Sequence, residues 1–419
     1  MRKYREYKDS GISWVGDIPE HWEIKQLRNY LTFTSKKGYP DETLLSVVRE
    51  QGVIVRNIES QEENHNFIPD DLSGYKLVTE GQFVINKMKS WQGSYGVSSI
   101  RGIVSPAYYV CDLQFQEKQF FNVAIRSKVY VPFFTQYSKG IRVGQWDLSP
   151  IGLKSIPFIE PPVSEQRNIV AFLSNKSSEI DNLISKTERE IELLKELKQS
   201  VVAHAITKGL NPNVKMKDSG IGWIGEIPEH WGIVKVSAVF SERREKVSDK
   251  EFVPLSVSKT GVTLQLESAV KTDNGDNRKK VCVGDFVVNS RSDRKGSCGV
   301  SHYLGSVSLI NIVLKPRNEL CNLYFHYLFR SNNYIEEFYR LGRGIVADLW
   351  TTRYSEMKNI NIPFPPKKEQ QEIVEYIDYK TTQIDKMIVE LTYKVEYLKQ
   401  YKQRLIADVV TGKINVQPE

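Results

Sequence analysis

The chain repeats itself, and this repeat constrains the fold more than any other feature of the sequence. Residues 8–22 read KDSGISWVGDIPEHW and residues 217–231 read KDSGIGWIGEIPEHW, which agree at 12 of 15 positions. A second pair of segments, IPFIEPPVSEQ from Ile156 and IPFPPKKEQ from Ile362, follows these two opening motifs. The copies start about 205 to 209 residues apart, half of the 419-residue chain. One structural unit is therefore used twice.

The order of the repeated parts is circular. The second copy ends at Thr411-Gly412-Lys413, where another opening motif would follow, and the first opening motif begins at Lys8. This order predicts a pseudo-two-fold molecule whose two termini lie close together. Two independent domains, joined like beads on a string, are the alternative.

A long amphipathic segment follows each Pro-Pro pair. Mostly apolar residues recur at alternating intervals of four and three, at Ile180, Ile184, Thr187, Ile191, Leu194, Lys198, Val201 and Ala205, and at Ile384, Ile388, Leu391, Val395, Leu398, Lys402, Leu405 and Val409. This spacing predicts two long helices that pair as an antiparallel coiled coil. Lys198 and Lys402 interrupt the stripe at equivalent positions. They either fix the register or extend their amines to water, and the second interpretation is favoured.

The two globular regions share a framework and differ in their loops. The segments that begin at Gly81 and Gly284 keep the same apolar and glycine positions, but KMKSWQ at 87–92 corresponds to SRSDRK at 290–295. Arg, Lys, Asn and Gln on such loops contact phosphates and base edges in protein–DNA complexes, although a solvated surface loop is the alternative for each. The candidate DNA-binding residues are Arg49, Gln51, Lys87, Lys89, Trp91, Gln92, Lys139, Arg142, Gln145, Lys259, Arg291, Arg294, Lys295, Arg340 and Arg343.

The positive charge lies in these globular regions. The whole chain has a net charge of +7. Residues 24–155 carry +4 and residues 232–363 carry +6, whereas the long segments 164–208 and 367–413 carry 0 and +1. A mild surplus of this kind is compatible with nucleic-acid binding without establishing it, and its distribution places any DNA contact in the globular regions.

The composition and motifs exclude several classes of protein. With 40% hydrophobic residues the chain can build a core, and no apolar run reaches the roughly 18 residues of a membrane span. The N-terminal segment MRKYREYKDSG lacks the apolar core of a secretion signal, so a cytoplasmic location is expected. The four cysteines are far apart and are expected to be reduced and structural.

Residue patterns for catalysis are weak. No GxxxxGK[ST] phosphate loop occurs, and neither Pro-Pro site provides the Asn/Asp-Pro-Pro-aromatic motif of amino-methyltransferases. The six histidines are scattered, and His21 and His230 in the repeated EHW are expected to pack or cap rather than to catalyse. We therefore expect no catalytic site, no metal site and no cofactor in this chain.

The duplicated order of motifs resembles the specificity subunit of Type I restriction-modification systems. The resemblance is carried by Gly11-Ile12 to Trp22, by Gly220-Ile221 to Trp231, and by the two Pro-Pro pairs with Glu165-Gln166 and Glu369-Gln370. It covers essentially the whole chain, and only the shortening of IPFIEPP to IPFPP departs from it. The fold class expected is α+β, with two pseudo-two-fold-related β-rich globular domains separated by two long helices that form an antiparallel coiled coil.

The resemblance also implies a division of labour. It implies a first target recognition domain at 1–155 (opening motif 8–22), a long helix at 156–208, a second recognition domain at 209–363 (opening motif 217–231), and a second long helix with the C-terminal tail at 364–419. Each domain would read one half of a bipartite site in double-stranded DNA, and the coiled coil would set the gap and dock two modification subunits. Those methyltransferase subunits would bring S-adenosylmethionine, and restriction or translocase subunits would bring ATP and Mg.

A different class of function is also compatible with the sequence. A non-catalytic coiled-coil adaptor could use its repeated domains to bind protein, with the basic loops only solvated. The salt dependence of DNA affinity distinguishes the two hypotheses, because contacts to phosphates make log K fall steeply with log salt.

Overall fold

The computed structural model describes residues 2–57, 68–140, 146–265, 275–317, 320–344 and 350–418. The chain divides into two compact units. The first unit contains residues 1–187 and 393–419, and the second contains residues 188–392. Each unit thus combines one globular region with parts of both long helices, whereas the domain bounds expected from the sequence keep each helix whole.

The first globular region is built from short strands and three short helices. Its elements are β1 (Tyr7–Asp9), β2 (Asp17–Pro19), β3 (Glu23–Gln26), β4 (Leu31–Thr34), β5 (Leu45–Val48), β6 (Gly52–Val55), β7 (Lys76–Val78), β8 (Phe83–Asn86), β9 (Tyr95–Val97), β10 (Gly102–Val104), β11 (Tyr108–Leu113), α1 (Lys118–Ile125), α2 (Val131–Gln136), β12 (Ser138–Lys139), β13 (Asp147–Leu148), α3 (Pro150–Ser155) and β14 (Pro157–Glu160). The long helix α4 (Val163–Lys208) follows.

The second globular region repeats this order with few changes. Its elements are β15 (Met216–Asp218), β16 (Glu226–Pro228), β17 (Gly232–Lys235), α5 (Val236–Val239), β18 (Phe240–Glu242), β19 (Lys246–Val247), β20 (Leu255–Ser258), β21 (Gly261–Leu264), β22 (Arg278–Val281), β23 (Phe286–Asn289), β24 (Cys298–Val300), β25 (Gly305–Val307), β26 (Asn311–Pro316), α6 (Asn322–Arg330), α7 (Asn332–Arg340), α8 (Tyr354–Met357) and β27 (Asn361–Phe364). The second long helix, α9 (Lys367–Val410), completes the set.

The two regions have the same sheet topology. A four-stranded antiparallel sheet has the order β4-β11-β8-β9 in the first unit and β18-β26-β23-β24 in the second. The register is also equivalent, because Asn86 lies opposite Tyr108 and Asn289 lies opposite Asn311. The interior clusters match as well: five of the six buried aliphatic residues in the cluster from Leu45 to Val110 have an equivalent in the cluster from Leu255 to Val313. The repeated sequence therefore folds into one repeated framework.

The paired helices follow the predicted pattern. No residue of the two stripes in α4 and α9 is exposed, and Ile184 and Leu405 are among those that are fully buried. In the first unit Asn168 contacts Gln417, and further along α4 Asp181 contacts Lys402, so the two chain segments run antiparallel. The predicted α+β fold class with an antiparallel helix pair is confirmed.

The interpretation of the two stripe lysines was wrong. Lys402 Nζ lies 2.7 Å from Asp181 in the first unit, and Lys198 Nζ lies 2.6 Å from Asp385 in the second. Each lysine reaches a carboxylate on the other long helix, because antiparallel pairing brings these positions side by side. The two ion pairs occupy equivalent positions in the repeat. They therefore favour the interpretation that the lysines fix the register of the helix pair, not that they extend to water.

Both long helices end at a glycine with positive φ. Gly209 and Gly412 each have φ of 73°, the left-handed conformation that commonly ends a helix. In the first unit the backbone then pairs with the N-terminal segment, since Asn415 N donates to Arg2 O at 2.9 Å. The predicted proximity of the two termini is thus confirmed.

No helix within the described residues is long and apolar enough to cross a membrane.

Candidate nucleic-acid interface

In the first unit, two predicted loops lie against each other. The loop after β8 contains Lys87 and Trp91, and the β12–β13 hairpin contains Lys139. Leu148 N donates to Lys87 O at 3.0 Å, and the rings of Trp91 and Trp146 lie 5.2 Å apart. Because β12 and β13 form the two sides of one hairpin, residues 87–92 and residues 139 and 146 present a common surface.

The turn between β5 and β6 adjoins this surface. The Cγ atom of Arg49 would lie 3.7 Å from a Cβ atom placed at Gly93, directly after the 87–92 loop. The turn approaches β9 closely, since a Cβ atom at Gly96 would lie 3.4 Å from the Cα of Gly52. Arg49 and Gln51 are both exposed at the tip of the turn. The first unit therefore brings all three predicted stretches together.

A half-buried arginine fixes this turn, and sequence reasoning missed it. The Nη2 atom of Arg126, at the end of α1, donates to Glu50 O at 2.8 Å and to Arg49 O at 3.3 Å. Burial lowers the pKa of the Arg126 guanidinium, opposed by the Glu50 carboxylate. Backbone carbonyl acceptors thus compensate part of the desolvation of this cation while they hold the exposed tip in one conformation.

The second unit has an equivalent arginine. Arg330 donates from Nη1 to Cys298 O at 2.6 Å and from Nη2 to Lys259 O in the turn between β20 and β21. The signal in the sequence is the pair Ile125-Arg126-Ser127 and Phe329-Arg330-Ser331, which lie 204 residues apart, the repeat distance of the helices. An arginine repeated inside an otherwise apolar segment indicates a buried polar role, which a search for exposed basic loops does not detect.

The loop after β23 carries the basic residues of the second unit. Arg291, Arg294 and Lys295 lie on this loop, and Ser292 N donates to Trp350 O at 2.9 Å. Arg343 exchanges backbone hydrogen bonds with Thr351, which also forms a bridge with Arg291. These contacts bring Arg343 next to the 290–295 loop, so two predicted stretches of the second unit share one surface.

Other predicted residues lie apart or outside the described residues. Arg142 and Gln145 fall in the segment 141–145, which the description does not include. Arg340 is the last residue of α7, and its guanidinium makes two hydrogen bonds of 2.8 Å to Glu337. Lys89 and Gln92 are exposed on the first surface.

The basic side chains differ in their ion pairing. A carboxylate lies within 4 Å of six of the predicted residues, namely Arg49, Lys87, Arg291, Arg294, Lys295 and Arg340. Within the described part of the chain, none lies within that distance of Lys89, Lys139 or Lys259. Exposed pairs of this kind contribute little to stability, so their lysines and arginines can exchange a carboxylate for a phosphate at small cost.

The repeated EHW and EQ motifs form a structural joint. In the first unit Glu165 accepts hydrogen bonds from Tyr4 at 2.8 Å and from Trp22 at 3.1 Å, and His21 Nε2 lies 2.5 Å from its other oxygen. Gln166 donates to Pro161 O at 2.7 Å, at the entrance of the helix. The motif therefore ties the opening hairpin to the start of α4, in agreement with the predicted capping role of the histidine.

The second unit repeats this joint with fewer hydrogen bonds. His230 lies 2.8 Å from Glu369, and Gln370 donates to Pro365 O at 2.9 Å. Trp231 is buried, but its indole nitrogen has no hydrogen-bond partner among the described residues. The most strongly repeated residues of the sequence thus hold the framework, and the variable loops form the candidate interface.

The cysteines and acidic groups do not form a reactive cluster in the described structure. All four cysteines are free, and burial raises the pKa of Cys111 and Cys298 to about 12, which keeps both thiols protonated. Among the residues with described positions, no three His, Cys, Asp or Glu side chains lie close enough to hold a metal ion.

The chain is similar to proteins of Type I restriction-modification systems. The family described as Type I restriction modification DNA specificity domain matches residues 241–394, which contain most of the second globular region and part of α9. A chain from a study of complex assembly and conformational transition of the type I R-M system has a TM-score of 0.67 at 16% identity. That match covers 95% of this chain and 99% of the other. The HsdS subunit from Thermoanaerobacter tengcongensis has a TM-score of 0.53, also at 16% identity, and the match covers 95% and 98%.

Curated relatives extend the match over the whole chain. A protein of Methanocaldococcus jannaschii, provisionally named the type I restriction enzyme MjaX specificity subunit, is 24% identical over 96% of both chains. The type I restriction enzyme EcoKI specificity subunit of Escherichia coli is 21% identical over 96% of this chain and 91% of its own. The resemblance to the specificity subunits of Type I restriction-modification systems that the sequence predicted is confirmed by these matches.

Proposed function

We propose that the chain is the sequence-specific DNA-binding subunit of a Type I restriction-modification complex, and that each unit reads one half of a bipartite site in double-stranded DNA. One observation carries this proposal. The two units share a framework, a strand register and a half-buried arginine, but they display different polar side chains on equivalent loops. Base readout requires variable side chains on a fixed scaffold, because the donor and acceptor pattern differs for each base pair.

The charge distribution supports the same proposal. The net charges of +4 and +6 fall on the two globular regions, where phosphate contacts would position the protein on the duplex. Trp91 and Trp146, with rings 5.2 Å apart, add an aromatic surface beside Lys87. Arg142 and Gln145, which lie outside the described residues, remain candidates from the sequence.

We also propose that the paired long helices set the gap between the half-sites and dock two modification subunits. The helices are nearly neutral, and α9 exposes Tyr393 and Tyr397 at 73% and 66%, which a partner surface could cover. In this proposal the chain itself is non-catalytic and works in the cytoplasm. S-adenosylmethionine would be bound by the modification subunits, and ATP and Mg by restriction or translocase subunits.

Exchange of one loop tests the proposal. Residues 87–92 are replaced by the corresponding loop of another specificity subunit, and the methylated motif in the host genome is determined for both proteins. We expect one half of the motif to change and the other half to be retained. Exchange of 290–295 is the matched variant and should change the opposite half.

The result also separates the proposal from a protein-binding adaptor. The full chain with its modification subunit is titrated with a bipartite duplex carrying the methylated motif. Specific binding that weakens steeply with salt is expected. Absence of binding, with no salt-dependent affinity for the duplex, would reject DNA recognition.

A further inference from the structure

Three lysines of the first unit lie on neighbouring segments around β7 and the end of β8. Lys76 on β7 is half-buried, and its Nζ atom donates to Tyr108 O at 2.7 Å. Leu77 N donates to Lys36 O at 2.8 Å, so the segment with Lys37 runs beside β7. Lys87 directly follows Asn86, which lies opposite Tyr108 in the sheet. Lys37 and Lys76 were not among the residues predicted from the sequence.

This cluster is electrostatically unfavourable in the protein alone. The pKa of Lys76 is lowered by burial and, in addition, by the positive charges of Lys37 and Lys87. Lys87 is 3.1 Å from Asp147, but for Lys37 and Lys76 no carboxylate lies within 4 Å among the residues that the structure describes. Like charges close together repel each other, and a partly buried ammonium without a counter-ion adds a desolvation cost. An external anion would remove both costs.

In the second unit the lysine at the position of Lys76 is paired with a carboxylate. Lys279 corresponds to Lys76, and it donates to Asn311 O at 2.8 Å in the same way. Here Glu242, which takes the place of Phe33, lies 3.2 Å from the ammonium and also pairs with Arg244. Ser290 takes the place of Lys87. The lysine on the strand is kept in both units, but among the described residues only the second unit provides an internal carboxylate for it.

We propose that Lys37, Lys76 and Lys87 bind a phosphodiester of the DNA backbone, and that the second unit makes no equivalent contact because Glu242 occupies that role. The inference rests on the proposed DNA-binding function. It adds the position at which the DNA backbone would cross the first unit. Lys87 links the phosphate site to the 87–92 loop, so the contact would position this loop over the bases. Phosphate contacts set register and orientation but do not read sequence.

Salt titration with a matched pair of variants tests this site. Lys76→Gln and Lys279→Gln retain a side-chain donor for the carbonyl of Tyr108 or Asn311 while removing the charge. Each variant of the full chain, with its modification subunit, is titrated with a mixed-sequence DNA duplex at several salt concentrations. Loss of one phosphate contact makes the slope of log K against log salt shallower by about 0.9. The drop in affinity between 50 and 200 mM salt should therefore be about 3.5-fold smaller in Lys76→Gln than in the wild type. Lys279→Gln should keep the wild-type slope.

A second variant keeps the test independent of folding. Lys37 is exposed, so Lys37→Gln leaves the packing intact and should lower the slope as Lys76→Gln does. The methylated motif should be unchanged in both, since a phosphate contact carries no sequence information.

Three outcomes would overturn the inference. One is a wild-type slope in both Lys37→Gln and Lys76→Gln, another is an equal loss in Lys279→Gln, and the third is an altered motif, which would indicate base reading. If the wild-type complex itself fails to bind DNA, the proposed function fails first and this inference falls with it.

Discussion

The two units place different side chains at the same points of one framework, and the substitutions show which parts of the framework are fixed by chemistry. Asn122 in the first unit and His326 in the second occupy equivalent positions. Asn122 Oδ1 accepts from Val97 N at 2.9 Å, and His326 Nδ1 accepts from Val300 N at 3.4 Å. The requirement is for an acceptor, and either side chain supplies it. The comparison teaches that the repeat conserves hydrogen-bond roles more strictly than residue types.

The largest expected difference between the units concerns the turn arginines. Arg126→Ala should relax discrimination in one half of the methylated motif, and Arg330→Ala in the other half. Each change releases the carbonyls of one hairpin tip, so that the tip samples several conformations and loses a base contact of about 1–3 kcal/mol. Methylome sequencing of strains carrying each variant measures this effect.

Lysine provides the control for this prediction. Arg330→Lys keeps the charge but lacks the two nitrogens of the planar guanidinium that reach the carbonyls of Cys298 and Lys259, so it should restore stability more than discrimination. Relaxation of both halves by either alanine variant would show that the arginines support the whole unit rather than one tip.

Acid should destabilise the second unit more than the first through His326. Burial, followed by the charges of Arg330 and His302, lowers the pKa of His326 from 6.5 to about 4. Between those values the unfolded chain binds a proton that the folded unit does not, so stability falls as the pH falls through this window. At pH 5 the loss is about 2 kcal/mol. The loss is measured by hydrogen exchange of peptides from the second unit at pH 7 and pH 5.

The first unit supplies the matched variant. His326→Asn introduces the residue found at position 122 and should remove most of this acid sensitivity while it keeps the acceptor for Val300 N. An unchanged difference between pH 7 and pH 5 in the variant would assign the acid sensitivity to other groups.

The joint between opening hairpin and helix should be stronger in the first unit. Glu165 accepts from Tyr4 and Trp22 and contacts His21, whereas Glu369 contacts only His230 among the side chains described. Glu165→Ala should therefore cost roughly 1–3 kcal/mol and Glu369→Ala about 1 kcal/mol or less. Chemical denaturation, monitored by hydrogen exchange of the peptides that contain Trp22 and Trp231, measures the loss of stability in each unit separately. Equal losses would mean that the extra hydrogen bonds add nothing.

The smallest effect is expected at the two reciprocal ion pairs. Lys198→Ala and Lys402→Ala should each cost about 0.2–1 kcal/mol, since both pairs are partly exposed and screened by salt. A double-mutant cycle with Asp385 and Asp181 measures each coupling. Exchange of the charges within one pair, by Lys198→Asp with Asp385→Lys, should recover most of the loss; a larger loss than in the single variants would contradict a direct pair.

The sequence alone predicted the architecture because the architecture is repeated. Two copies of one motif order identify the framework, and the spacing of residues such as Ile184 and Leu405 predicts the helix pair. The register ion pairs were misinterpreted, because the partner of Lys198 is known only once the two helices are aligned. Arg126 was missed because its role depends on carbonyls 76 residues away in the chain.

The candidate interface was predicted in part. Repeat comparison located the loops at 87–92 and 290–295, since variation between copies marks positions that the framework does not constrain. It did not show that Arg340 is held by Glu337, or that Lys76 lies in a cluster with Lys37 and Lys87. The lysine cluster depends on strand pairing across long stretches of chain, which residue types do not specify. The pair of Arg340 with Glu337 is local, with a spacing of three residues in α7, and required only the correct helix assignment.

The division of the first unit between the two ends of the chain has a consequence for biosynthesis. Residues 188–392 form the second unit from one continuous stretch, but the first unit requires residues 393–419 in addition to residues 1–187. During translation the first globular region therefore emerges from the ribosome first, but the part of α9 that completes its unit is synthesised last. Until then the apolar stripe around Ile180 and Ile184 has no partner from its own unit, so a chaperone that binds during translation would find this stripe uncovered.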